Sequence, residues 1–377
     1  MKHRRINLVS NSLGIYLCII FAFWIVAVAS RILYNGLILG LDFGIYQPDG
    51  IYYALRSLSW LGNNEFDVAN QLVDWYKSNS AKNLDLPVSA IYPWNAEVWG
   101  LVGPRILYPL LSIPFVSLLG VPGMLVVPSL SLLLLMVSSY YLGHKLNFPF
   151  IGLTIAIGLS ISPTILRWMI SNTTDSLLLG LFSLVPILLI NLKENYRNQV
   201  LILMLVVLTN MTRFSFPIWF GVAFILFIYC AKRISIGIFL LNIVSCIPTF
   251  LMQPKTAFLP LENELSAIEK IFQLPKSFLK VGFYEIAELA VLDRMLLVFL
   301  AVALFGALTN LKSIESGLFL VVLLAVWALG AINGNVGVNF RYQLPLISFS
   351  IIPFIYGVGK FAKWYSRNGL NIVRDKT

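Results

Sequence analysis

The chain has 377 residues, 58% hydrophobic and 12% charged, with a formal net charge of +10 and a mean hydropathy of +0.83. Soluble domains carry about 25% charged residues, so this composition excludes a soluble globular protein. Repeated apolar runs near ~20 residues long specify an all-α, polytopic membrane protein. In such a chain a basic excess marks cytoplasmic loops and anionic headgroups, and it gives no reason to expect nucleic acid.

The cysteines, Cys18, Cys230 and Cys246, lie in apolar runs. Their odd number and lack of ligand spacing argue against a disulfide framework. With His3 and His144 the only histidines, a histidine-based metal centre or a Ser-His-Asp triad is not expected. No P-loop or dinucleotide glycine pattern is present, so no soluble cofactor is expected.

The basic start Met1-Lys2-His3-Arg4-Arg5 precedes an apolar run, Leu13 to Ala29. Ala27-Val28-Ala29 resembles a signal-peptide cleavage site, but the run is longer than a usual h-region. It is read as an uncleaved first span within residues 1–33. Residues 34–120 follow as a large first outer loop ending in a juxtamembrane piece. The loop is acidic (Asp42, Asp49, Glu65, Asp67, Asp74, Asp85, Glu97) and rich in Trp and Tyr, which suits the headgroup level. Segments 50–61 and 66–78 are expected as short helices on the membrane surface. The run 106–119 is short and interrupted by Pro109 and Pro114, so it is read as juxtamembrane or re-entrant.

With that choice the later spans fall at about 121–142, 149–166, 174–192, 199–214, 216–231, 234–252, 293–310, 316–332 and 343–361. Together with the first they make about ten, in a single membrane domain. Central spans occupy 121–252, a second outer segment 253–292, and the last spans with a cytoplasmic tail 293–377. The inner loops then hold His144-Lys145, Lys193, Arg197, Lys232-Arg233 and Lys312. Both termini are cytoplasmic by the positive-inside rule. Residues 262–272, with Leu265, Ile268, Ile271 and Phe272 on one side, are either an interfacial helix over a site or a connector.

The same topology collects Asp49, Arg105, Arg167, Asp175, Arg213 and Arg341 on the outer side, several at the ends of apolar helices. Ionisable residues there are costly unless paired or functional. Several also have a plainer reading. Asp49, in Gln47-Pro48-Asp49-Gly50-Ile51-Tyr52-Tyr53, is a turn or helix cap, or a general base. Asp175 caps the helix that follows it or binds a ligand. Arg213 and Arg167 are expected to snorkel to the interface. Tyr52, Tyr108 and Tyr342 either bond sugar or belong to the aromatic belt.

Four stretches together resemble the GT-C superfamily of integral-membrane glycosyltransferases. They are the Asp49 segment, Arg105-Ile106-Leu107-Tyr108-Pro109-Leu110-Leu111, Asn172-Thr173-Thr174-Asp175-Ser176, and Asn339-Phe340-Arg341-Tyr342-Gln343-Leu344-Pro345. Many members have paired acids in the first loop, whereas Asp42 and Asp49 stand seven residues apart. Members like oligosaccharyltransferase add an Asp-x-Asp metal motif, whereas Asp175 stands alone, so a divalent metal is not indicated.

The resemblance implies a polyprenyl-phosphate-linked sugar as donor, a glycan, lipid or protein acceptor, and surrounding membrane lipid. It places the reaction on the extracytoplasmic face of an inner or plasma membrane. Displacement at an anomeric carbon needs a base for the acceptor hydroxyl and positive charge where phosphate leaves. Asp49 is the expected base and Arg105 and Arg341 the phosphate ligands. Asp175, Tyr342 and Tyr52 are expected to bind donor or acceptor. The rival classes are a transporter or flippase of lipid-linked sugars, an O-antigen polymerase or ligase, and a non-catalytic membrane subunit.

Overall fold

A computed structural model describes residues 2–37, 48–79, 88–90, 92, 102–190, 192, 195–229, 231–252, 267–332 and 341–374. Among these residues the chain is helical, with no strand. Helix α1 (Lys2–Leu37) lies on the outside of the bundle against the helices Val126–Lys145 and Pro149–Ile161. Its apolar side chains Ile15, Phe21, Val26 and Leu33 are exposed, as a lipid-facing span requires. The Trp24 indole Nε1 donates to the Ser129 carbonyl at 2.7 Å and fixes the rotation of the helix.

Helices α2 (Pro48–Ser59), α3 (Glu65–Asn79) and α4 (Leu107–Leu119) form a separate packed layer. They fall where short helices were expected at 50–61 and 66–78 and a short apolar run at 106–119. Pro48 opens α2 at a position where its missing N–H costs nothing. In α3 Val68, Ala69, Leu72, Val73 and Tyr76 are buried, the spacing of one helical face. Helix α4 is 13 residues long, about 20 Å at 1.5 Å per residue, well short of the ~30 Å hydrocarbon core. It packs on α2: the Ser57 hydroxyl donates to the Pro109 carbonyl at 2.9 Å. The fully buried Tyr108 donates its hydroxyl to the Met124 carbonyl at 2.7 Å, within a short 3-10 segment, Val121–Leu125. Tyr108 is therefore core, not a sugar ligand.

The bundle follows as α5 (Val126–Lys145), α6 (Pro149–Ile161), α7 (Pro163–Met169), α8 (Thr174–Ser183), α9 (Val185–Leu189), α10 (Tyr196–Thr212), α11 (Phe216–Ile228), α12 (Lys232–Met252), α13 (Ala267–Leu292), α14 (Arg294–Leu308), α15 (Ile314–Ile332) and α16 (Leu344–Arg374). It has two apolar cores, and α8, α14 and α16 contribute to both. Small residues let backbones meet where they must. A Cβ at Gly143 would stand 2.5 Å from the Gly152 Cα, so α5 and α6 cross almost in contact. A Cβ at Gly306 would run into the Pro353 carbonyl, which seats α14 against α16.

Among the described residues, five helical stretches are long and apolar enough to cross a membrane: Leu13–Leu33, Val121–Lys145, Lys232–Thr249, Ile314–Ala331 and Leu344–Ala362. A sixth results if α6 and α7, bent by 70°, count as one. The expected spans 149–166 and 174–192 are thus each built from two helices, broken at Ser162-Pro163 and at Leu184. The first break is fastened by Asp293, the N-cap of α14, which accepts from the Ser162 hydroxyl and from the Thr164 amide at 3.1 Å. Of the segment expected as the second outer one, residues 253–266, Leu265 among them, lie outside the described residues. Helix α13 continues as far as Leu292 and lays Phe278 edge-on against Trp327 of α15, with ring centroids 5.5 Å apart.

Candidate active site

Five segments from separate parts of the chain meet at one end of the bundle: the first turn of α2, the entry to α4, the α7–α8 connection, the α10–α11 break, and the turn before α16. At their centre is Arg341. Its Nε donates to Asp175 Oδ2 at 2.8 Å and its Nη2 to Asp49 Oδ2 at 2.9 Å. The other oxygen of Asp175 is ion-paired with Arg213. Asp49, Arg341, Asp175 and Arg213 are therefore one chain of alternating charge. It runs from the surface inward: the Asp49 side chain is 43% exposed, Arg341 18%, and Asp175 0%. Two aromatic rings flank the cations. The Arg341 guanidinium lies 5.1 Å from the Trp168 ring centre, and that of Arg213 lies 4.5 Å from Tyr342, both within cation–π range.

Local structure explains why Arg213 is available there. Helix α10 stops at Arg213, whose backbone turns extended (φ −163°, ψ 151°). A buried polar network holds the break. Asn210 Oδ1 accepts from the Ser215 hydroxyl at 2.6 Å, and Asn210 Nδ2 donates to Asn242 and Ser245 at 2.9 and 2.7 Å. The Trp219 indole donates to Thr209 at 2.6 Å. Such a fully paired network rigidifies its surroundings.

Arg105 completes the site. Arg56 Nη1 donates to the Gly103 carbonyl at 2.6 Å and pins the turn that presents it. Arg105 Nη1 donates to the Tyr53 hydroxyl at 3.1 Å, and among the described residues no carboxylate pairs with it. A guanidinium has five N–H donors, so most of its capacity is unspent. Burial opposes its charge, but Tyr53 and Asp49 hold its pKa above the ordinary value.

Burial alone would raise the pKa of Asp49. Arg341, Arg105 and Arg213 outweigh it and hold the carboxyl below its ordinary value of 3.8, so Asp49 is ionised at neutral pH. Burial and then the charge of Asp49 raise the Tyr52 phenol, which stays protonated as a donor. Among the described residues no three His, Cys, Asp or Glu side chains gather as a metal-binding group.

The structure thus brings together Asp49, Arg105, Asp175 and Arg341, with Tyr342 and Tyr52 at the edges. Two plain expectations are corrected. Arg213 does not snorkel; it is 7% exposed and paired with Asp175. Asp175 is not the helix cap; Thr173 holds that position in α8, and both Asp175 oxygens face arginines. Asp49 lies inside the first turn of α2, where its Oδ2 accepts from Arg341. Arg167 is half-buried, with its guanidinium 5.7 Å from the neighbouring Trp168 ring. Trp168 and Tyr53 were not singled out by sequence, because aromatics beside arginines are common at membrane interfaces. No family model matches the chain, and no curated protein is similar to it.

Proposed function

We propose that the chain is a GT-C-like glycosyltransferase that moves a sugar from a polyprenyl-phosphate carrier to an envelope glycan, lipid or protein. The carrying observation is Arg341 bridging Asp49 and Asp175. It joins a half-exposed carboxylate to a cationic site without neutralising Arg105. Counting Arg105, Arg213 and Arg341 against Asp49 and Asp175 leaves one positive charge. A sugar linked to a lipid through a single phosphate carries one negative charge, so its binding would close the balance.

In this reading Arg105 and the outer edge of Arg341 receive the phosphate, and Asp49 takes the acceptor proton. The acceptor oxygen bonds to the anomeric carbon, the bond from that carbon to phosphate oxygen breaks, and its electron pair leaves on the polyprenyl phosphate. A carboxylate of low pKa suffices when the proton moves late, because charge stabilisation at the departing phosphate dominates. Counting α8 with α9, α10, α11 and α14 as spans restores about ten crossings. The positive-inside rule then puts both termini in the cytoplasm and the site on the extracytoplasmic face. The test is transfer from a polyprenyl-phosphate sugar of known anomeric configuration. Direct displacement gives inversion; a retained configuration, or movement of the intact carrier across the bilayer without transfer, overturns the reading.

A further inference from the structure

We propose that Asn172 is a positioning residue that sets where Asp49 stands relative to Arg341; its catalytic consequence rests on the transferase reading above. Gly50, next to Asp49, is helical and buried. Glycine weakens a helix relative to alanine, and here no positive φ calls for it. What calls for it is space. A Cβ at Gly50 would coincide with the side-chain amide of Asn172. Asn172 is fully buried, and its Nδ2 donates to the Tyr76 hydroxyl of α3 at 3.0 Å. The amide is thereby held at a fixed place against the backbone of α2.

The connection that carries Asn172 is itself fixed. The Ser171 hydroxyl donates to the Trp168 carbonyl at 2.9 Å and lies 3.1 Å from the Thr173 hydroxyl. The same short segment therefore supplies Trp168 against Arg341, Asn172 against Gly50, and Asp175 to Arg341. Arg341 is located by two of these contacts and Asp49 by the third. Asn172 acts as the spacer between the base and the cation, touching neither the reacting atoms nor the donor.

The test uses the full chain in four forms: wild type, G50A, N172A and G50A/N172A. A misplacement near 1 Å is expected to cost roughly 100-fold in kcat for G50A, with donor KM changed less than about threefold. Removing the Asn172 amide vacates the space the new methyl needs, so the double variant is expected to recover at least roughly tenfold over G50A. A merely structural role gives losses that accumulate, and a double variant no better than G50A overturns the proposal. A second arm does not depend on transfer. In detergent-solubilised protein, D49N and R341Q are combined in each background and the midpoint of thermal unfolding is read. Their effects are expected to be non-additive in wild type, additive in G50A, and non-additive again in G50A/N172A. Additivity unchanged across the backgrounds overturns the positioning role. If wild type transfers no sugar but this pattern holds, the transferase reading falls and the spacer stands.

Discussion

Arg341 and Asp175, 166 positions apart in sequence, meet through a 2.8 Å bond from Nε to a carboxylate with no exposed surface. This bond leaves Nη2 of the same guanidinium for Asp49. A lysine offers one point charge on a flexible stem and cannot hold two carboxylates in fixed directions. R341K is therefore expected to lose transfer by roughly 100-fold or more, the scale for removing one oriented donor from a developing anion. Steady-state kinetics on membranes with matched protein levels check this. Near-normal rates in R341K would show that charge alone is needed at this position.

The buried pair of Asp175 and Arg213 makes a stability statement. Removing one partner strands the other charge, which typically costs about 3–5 kcal/mol, whereas replacing both with apolar residues of similar size is often neutral. D175N and R213M are each expected to lower the thermal midpoint in detergent sharply, and D175L/R213M to regain most of the loss. The double variant should still transfer no sugar, because Arg341 has lost its buried anchor.

Much of this site was legible in the sequence because charges at the ends of apolar helices are too costly to be incidental. The expected topology placed Asp49, Arg105, Asp175 and Arg341, together with Arg167 and Arg213, on one face. The sequence was silent on which charges pair. Arg213 read as a snorkelling residue because its partner lies 38 positions away across a helix break (213 minus 175), and nothing local announces it. The Asn172–Gly50 contact was hidden for the same reason: a glycine after Asp49 looks like a turn residue until a side chain from another loop is found against it. The broken helices were half visible, since Pro163 and Pro186 stand at the breaks. The fastening of the first break by Asp293 depends on a contact 131 positions away.

The direction of the Asp49 shift fixes a pH dependence. Its folded pKa lies below the ordinary 3.8, so the ionised form stabilises the fold above that value, and the contribution is lost as pH falls through the lower folded pKa. A base that is already ionised gives no acid limb above about pH 5. The pH profile of kcat/KM is expected to be flat on that side down to the limit of protein stability. An acid limb near pH 6 to 7 that vanishes in D49N would contradict the environment described for Asp49.

The charge count discriminates between donors. A diphosphate linkage brings a second negative charge near Asp49. Two like charges about 4 Å apart repel by about 1 kcal/mol even in bulk water and about 4 at a protein surface. Sugar linked through a diphosphate is expected to transfer at least roughly tenfold more slowly than the same sugar linked through one phosphate, since 1.4 kcal/mol is a factor of ten. Side-by-side rates with matched lipid and sugar decide it, and a preference for diphosphate would contradict the single-phosphate charge balance proposed for Arg105.

The most direct measurement follows label from a radiolabelled polyprenyl-phosphate sugar pool in membranes holding wild type or D49N at equal protein levels. The expected result is transfer of label from lipid to acceptor by wild type and its loss in D49N. Asparagine keeps the size of the side chain but cannot take the proton. Equal transfer by both proteins would contradict the central claim and return Asp49 to a purely structural partner of Arg341.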